Sequence, residues 1–199
     1  MNRAFATLVA LMVTVIVLTG AVAFTPPALA QTTGPADVTL SDLDGSGTDG
    51  DPYIVTTVSE LQAIENDTAA HYQLRSDIDA SATAQWNDGK GFVPISSFSG
   101  TFDGDGNEIS DLYIDRPSTN NVGLFGSTGS SGSVSNVHLE NVSVDGRNDV
   151  GALVGDTSGQ IDSSSASGNV TGSTRVGGLI GEMGSTTVSN SYAEVTVEG

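Results

Sequence analysis

Val122-Gly-Leu-Phe-Gly126, Val150-Gly-Ala-Leu-Val-Gly155 and Val176-Gly-Gly-Leu-Ile-Gly181 are one unit written three times, with first valines 28 and 26 residues apart. A second landmark runs in step with them: Val134-Ser-Asn136, Ile161-Asp-Ser163 and Val188-Ser-Asn190, spaced 27 and 27. A third is the glycine that closes each unit, Gly146, Gly172 and Gly199. Three landmarks at one period and in one order mark a repeat architecture, and the period says what each unit must build.

A unit of about 27 residues contains short β-prone runs such as Val142-x-Val144 and Val195-x-Val197, broken by Gly, Ser, Asn and Asp. None of its apolar runs has the length and 3.6-residue period of a helix, so helical repeats are excluded. Short strands at one coil per repeat predict an all-β parallel solenoid, its equivalent Val, Leu and Ile side chains stacked in interior ladders about 4.8 Å apart. Asn136 and Asn190 are expected in equivalent turns, their amides bonding neighbouring backbone. The pairs Leu153-Val154 and Leu179-Ile180 resist a plain strand, which points neighbours to opposite faces. Either a bulge turns both inward or something covers the second face.

Upstream the text changes. Tyr53-Ile-Val55 reads as a strand, and Thr57-Val-Ser-Glu60 has capping-box spacing, opening a short helix through Leu61 and Ile64. Strands are expected near His71–Leu74, Phe92–Ile95, Gly100–Phe102 and Ile109–Ile114. A solenoid's open end is a row of unpaired backbone groups, so residues 51–117 are assigned as an N-terminal cap with the first irregular coils, and 118–199 as the regular repeats. Residues 31–50 read as an acidic, Gly-rich linker.

The composition narrows the function classes. The 199 residues hold 24 Asp and Glu against 6 Lys and Arg, a net charge of −18. Such a surface excludes a nucleic-acid partner, which needs basic contacts to phosphate. With no cysteine, disulfides, thiolate catalysis and Cys-held metals are excluded. Lys90 is the only lysine, and Asp outnumbers Glu 17 to 7. Dispersed carboxylates of this kind keep a protein hydrated where salt screens repulsion within a few ångströms, so a high-salt source is expected. At the N-terminus, Arg3, an uncharged run from Ala4 to Phe24 and Ala28-Leu-Ala30 describe a secretory signal peptide over 1–30. The run is also nearly long enough to span a bilayer, so a retained N-terminal anchor is the alternative and the one way the membrane enters this reading. Either route places the remainder outside the cell, secreted or at the cell surface. Three sequons suit that location, at Asn66, Asn141 and Asn169.

Val-Gly-[Gly/Ala]-Leu-[Val/Ile]-Gly followed by the apolar-x-[Asn/Ser] turn resembles the GLUG repeat of bacterial and archaeal surface proteins, also found in the non-catalytic part of streptococcal IgA-cleaving metallopeptidases. The resemblance extends over residues 45–199, taking in Gly45-Ser-Gly-Thr-Asp-Gly-Asp-Pro-Tyr53, Gly100-Thr-Phe-Asp-Gly104 and Arg116-Pro-Ser-Thr-Asn-Asn-Val-Gly-Leu-Phe-Gly126. It implies a right-handed parallel β-helix serving as a surface-exposed, non-enzymatic scaffold or adhesion module; with the acidity, a halophilic archaeon is the expected source. It transfers no catalytic residue. Val122-Gly-Leu-Phe-Gly126 is one residue shorter than its sisters, which leaves its register open.

Asp42-x-Asp44-x-Ser46-Gly47-Thr48 places oxygens at alternate residues with Gly sixth, so Asp42, Asp44, Ser46 and Thr48 are candidate calcium ligands, although Tyr53 stands where an EF-hand loop has its bidentate Glu. Asp103-Gly-Asp105-Gly-Asn107 is a second candidate turn. Gly45-Ser-Gly-Thr-Asp-Gly50 matches a dinucleotide fingerprint only as a string, because acids surround it and Pro52 follows. Asp77 and Asp79 share a face if extended, which raises glycoside hydrolysis. His71 and His138 have no partner at zinc-site spacing and read as surface or turn residues, and Trp86 reads as packing over a cap edge or stacking on a sugar. The function expected is therefore a structural or adhesive module facing a surface polysaccharide or protein. The alternatives are a carbohydrate-active enzyme and the non-catalytic region of a larger secreted hydrolase.

Overall fold

The computed structural model describes residues 34–199, so the proposed signal segment lies outside the described residues. Every pair of named strands runs parallel, and each strand pairs with its counterpart one coil away. The first sheet stacks Tyr53–Val55, His71–Leu74, Thr101–Asp103, Ser133–Ser135, Gln160–Asp162 and Thr187–Ser189. The second stacks Ile78–Asp79, Glu108–Ser110, His138–Asp145, Ser165–Thr171 and Tyr192–Glu198, with Tyr113–Asp115 on the far half of His138–Asp145. A third holds Phe125–Thr128, Val154–Thr157 and Ile180–Met183, and a fourth Asn148–Val150 and Thr174–Val176. This is a parallel β-solenoid with coils of about 27 residues, set by the repeat.

The core lies inside the coils as ladders. Tyr72, Phe102, Val134 and Ile161 stack in register along the first sheet, each 1 % exposed or less. Side chains change along the axis. The early coils, in which paired residues lie 30 to 32 apart, hold Phe125 against both Phe98 and Phe102, with ring centroids 4.9 and 5.4 Å apart. In the 27-residue coils Val, Ile and Ala take those places. Longer coils enclose more volume, and a close-packed interior needs larger side chains to fill it.

The awkward apolar pairs resolve at corners. Val154 opens a third-sheet strand while Leu153 lies in the bend before it, and both are fully buried. A bend, not a bulge, turns them both inward. The shortened first unit resolves there too: Val122 pairs with Val150 and Phe125 with Val154, so the missing residue falls in the bend, opposite Ala152, and register recovers by the strand.

The capping box forms as read. Thr57 Oγ1 accepts from Glu60 N–H, and the Glu60 carboxylate accepts from Thr56 and Thr57 N–H, starting the helix Val58–Ala63. Its Gln62 side chain, 3 % exposed, both donates to Val93 O and accepts from Val93 N–H. That amide stands in for a strand neighbour. The expected strand over Phe92–Ile95 does not form, because Pro94 lacks an N–H; only single bridges at Gly91, Ile95 and Phe98 remain. The expected strand over Ile109–Ile114 is two strands, broken at Asp111, whose φ is +57°. From Thr39 onward the acidic Gly-rich stretch is folded onto the cap: Leu43 joins the core, and Ile54 N–H bonds Asp44 O.

Candidate functional site

The second sheet presents two outward lines. Because Ile78, Ile109, Leu139 and Ala166 point inward in one ladder, the residues before them, Asp77, Glu108, His138 and Ser165, stand in line outside, continued by Tyr192. The second line is Asp79, Ser110 and Glu140, then Ser167 and Glu194. Between Leu139 and Val142 the strand carries one residue more than the stretch Ala166–Gly168 opposite, a bulge at Asn141 with φ +52°. The lines border an open groove of ≈ 270 Å³ lined by Glu108, His138, Glu140, Ser165, Tyr192 and Glu194.

Its electrostatics follow from stacking acids one coil apart. A hydrogen bond with Glu140, then burial, then the negative charges of Glu140 and Asp77 push the Glu108 carboxyl above the usual range. His138 Nδ1 and Ser165 Oγ are 2.8 Å apart, and Tyr192 is 61 % exposed beside them. This surface offers acceptors, hydroxyls and an aromatic face, the contacts that hold sugars or polar chains. Asp77 and Asp79 both serve the backbone: Asp77 Oδ1 accepts from Glu108 N–H and Asp79 Oδ1 from Ser81 N–H.

The histidines are strand residues rather than turn residues, each opening a strand and half-buried. His71 Nδ1 lies 2.7 Å from Thr101 Oγ1 one coil on, as His138 does from Ser165. Trp86 is 4 % exposed and stacked on Phe92 at 6.5 Å, so it packs the cap.

In the candidate calcium turn, Asp42 accepts from Thr39 N–H and Oγ1–H, which holds its carboxyl below the usual range. Ser46 and Thr48 hydroxyls bond each other at 3.2 Å, and Asp44 is exposed with its carbonyl on Ile54. A cation at Asp42, Asp44, Ser46 and Thr48 would compete with these bonds. In the second turn, Asp103 Oδ1 accepts from Asp105 N–H and from the Asn136 amide. Among the described residues no three or more His, Asp or Glu gather as a metal-holding group.

Asn136, Ser163 and Asn190 occupy one stacked turn with φ +54°, +48° and +51°. The amides of Asn136 and Asn190 do not bond backbone as expected. Asn136 Nδ2 donates to Asp103 and Asn190 Nδ2 to Asp162, each on the preceding coil, while Asn141 Nδ2 donates to Asp111. Part of the acidity thus ties coil to coil. The sequon asparagines Asn66, Asn141 and Asn169 are all exposed.

The GLUG motif matches residues 172–198. Over 149 residues the chain is 46 % identical to halomucin of Haloquadratum walsbyi, aligning 70 % of this chain with 2 % of that protein. Over 127 residues it is 36 % identical to a provisionally named Gly-rich membrane protein of Evansella cellulosilytica, aligning 59 % of this chain with 15 % of that one. The chain therefore spans only a small part of these relatives' length. A crystal structure of a provisionally assigned immunoglobulin A1 protease from Bacteroides ovatus superposes with a TM-score of 0.43 at 18 % identity, covering 77 % of this chain and 69 % of that one. The chain is a parallel β-solenoid that carries a GLUG motif.

Proposed function

We propose that this chain is a non-catalytic structural and adhesive module, secreted or held at a cell surface and working in concentrated salt. The observation that carries this reading is the set of side-chain bonds between consecutive coils, Asn136 to Asp103, Asn141 to Asp111, Arg147 to Asn120 and Asn190 to Asp162. Bonds of this kind, added to parallel backbone pairing, make a stiff rod whose outward lines repeat at coil spacing. Weak contacts repeated along a rod act together. The high-salt part is supported by the net charge of −18 and the identity to halomucin. Exposed sequons at Asn66, Asn141 and Asn169 support glycan attachment, which an intact mass of the exported protein would read directly.

The second reading, a carbohydrate-active enzyme or part of a larger secreted hydrolase, is favoured by Glu108, Glu140 and His138 meeting in one groove. Incubating the full chain with a panel of polysaccharides and measuring new reducing ends separates the two. The module reading expects none; release that disappears in Glu140→Gln would overturn it.

A further inference from the structure

Among the described residues this acidic chain has five Lys and Arg, and four of them stand along one corner. The corner lies between the end of the second sheet and the fourth sheet. Lys90 O accepts from Asp115 N–H, Arg116 follows Asp115, Arg147 N–H bonds Thr119 O, and Arg175 follows one coil further on. Arg75 alone is elsewhere, at the turn between the first and second sheets. Arg175 is engaged by Asp149 and Glu182. Arg116 donates from Nε to Phe92 O at 2.9 Å and from Nη2 to Gly91 O at 3.3 Å, which fixes a half-buried guanidinium in place. Arg147 holds Asn120 through Nε, and both it and Lys90 are exposed.

Two of these cations, Lys90 and Arg116, line a notch of ≈ 410 Å³ with Asp115, Pro117, Ser118 and Thr119, and Arg147 stands beside it one coil on, its N–H bonded to Thr119 O. Its polar groups are of two kinds. Lys90 and Arg116, with Arg147 beside them, suit carboxylate or sulfate, to which cationic N–H groups donate charge-assisted bonds. Asp115, Ser118 and Thr119 suit hydroxyls. A bare polyanion would be repelled by Asp115 and by Asp145, its register partner one coil on. A chain bearing both hydroxyls and anionic groups uses everything the notch offers. Coils succeed one another about 4.8 Å apart, so an extended ligand lying along the axis meets Lys90, Arg116 and Arg147 in turn.

We propose that this corner binds an acidic polysaccharide, a hydroxyl-rich chain carrying carboxylate or sulfate groups. The inference rests on the module reading above and names its partner. The test is calorimetric titration of the full chain, in salt that holds its β spectrum, with polygalacturonate, dextran sulfate and neutral dextran. Either acidic polymer, or both, should bind, and which one does identifies the anion. The double variant Lys90→Gln/Arg147→Gln should bind about tenfold or more weakly, since two charge-assisted contacts are lost. Arg75→Gln should bind as the parent does, and Arg147→Lys should retain part of the affinity. Equal binding of neutral dextran, unchanged binding by the double variant, or no binding of either acidic polymer would overturn the proposal. So would self-association of the chain that the double variant abolishes, which would assign the corner to a second acidic copy. Reducing-end release measured in the same samples would sink the module reading while leaving the binding result intact.

Discussion

The glycine that ends the Val-Gly-x-Leu-x-Gly motif, Gly155 in the second repeat and Gly181 in the third, leaves no room for a methyl group. At Gly155 a Cβ would stand 2.5 Å from both Asn121 C and Val122 N, backbone atoms of the preceding coil. Gly181 meets the equivalent atoms of Asp149 and Val150. Here the chain doubles back tightly between the corner segment and the third-sheet strand, and only a hydrogen fits. Carbon contacts settle at about 3.5–4.0 Å, so Gly155→Ala asks the coils to part by roughly 1 Å. Two backbone bonds would stretch beyond reach, Asn121 N–H to Asn148 O at 2.9 Å and Val122 N–H to Asp149 O at 3.0 Å. Each is worth about 1 kcal/mol net, and overpacking adds about 1–3 kcal/mol. The sum is about 3–5 kcal/mol. For a chain of this size 1 kcal/mol moves Tm by about 2–4 °C, so melting should fall by roughly 6–20 °C. The assay is thermal melting by far-UV circular dichroism in concentrated salt, with Gly50→Ala as the control, since nothing lies within 4 Å of a Cβ there. If Gly155→Ala melts within about 2 °C of Gly50→Ala, the close-approach account of the repeat's glycine is wrong.

Two further outcomes follow from stacked charges. Asp149 is 5 % exposed, and its hydrogen bond to Arg175 holds its carboxyl below the usual range, so the stability it contributes is present above about pH 4 and lost as pH falls through the lowered value. Arg175→Ala should therefore melt lower than the parent at pH 7, with the difference closing as pH falls below the usual carboxylate range; a pH-independent difference would refute the pairing. Glu108 behaves oppositely. Its carboxyl is held above the usual range, so the folded state binds the proton more tightly and this group's contribution is lost as pH rises past that raised value. Glu108→Gln donates to Glu140 without a titrating proton and should melt above the parent at pH 7 and with it at about pH 4. Equal melting at both would show that the two carboxyls do not interact.

Much of the fold was legible along the chain. The 27-residue landmarks fix which residues stack, since parallel coils in register must repeat their inward positions. The Thr57 capping box was legible because its bonds span three residues. The failures share a cause as well. Phe92–Ile95 has β-prone side chains, yet Pro94 cannot donate and the Gln62 amide, some 30 residues away, supplies the pairing. At Asp111 and Asn141 an extra residue in left-handed conformation breaks or bulges the strand. Nothing in the local text distinguishes these from turn residues.

The candidate surfaces were hidden for the same reason. Asp77 and Asp79 drew attention as neighbours in sequence, whereas Glu108, His138 and Glu140 meet only because Ile109 and Leu139 stack inward and hold their neighbours out. The spacing of those apolar positions was the available signal. The acids likewise read as one diffuse charge, and the register alone reveals which of them accept from Asn136, Asn141 and Asn190. The gathering of Lys90, Arg116 and Arg147 at one corner is of the same kind, for they lie 26 and 31 positions apart along the chain. Local sequence carries periodicity, caps and turns because those depend on a few consecutive residues. Which side chains share a surface depends on coil length and on each bend, and a single inserted or missing residue shifts both.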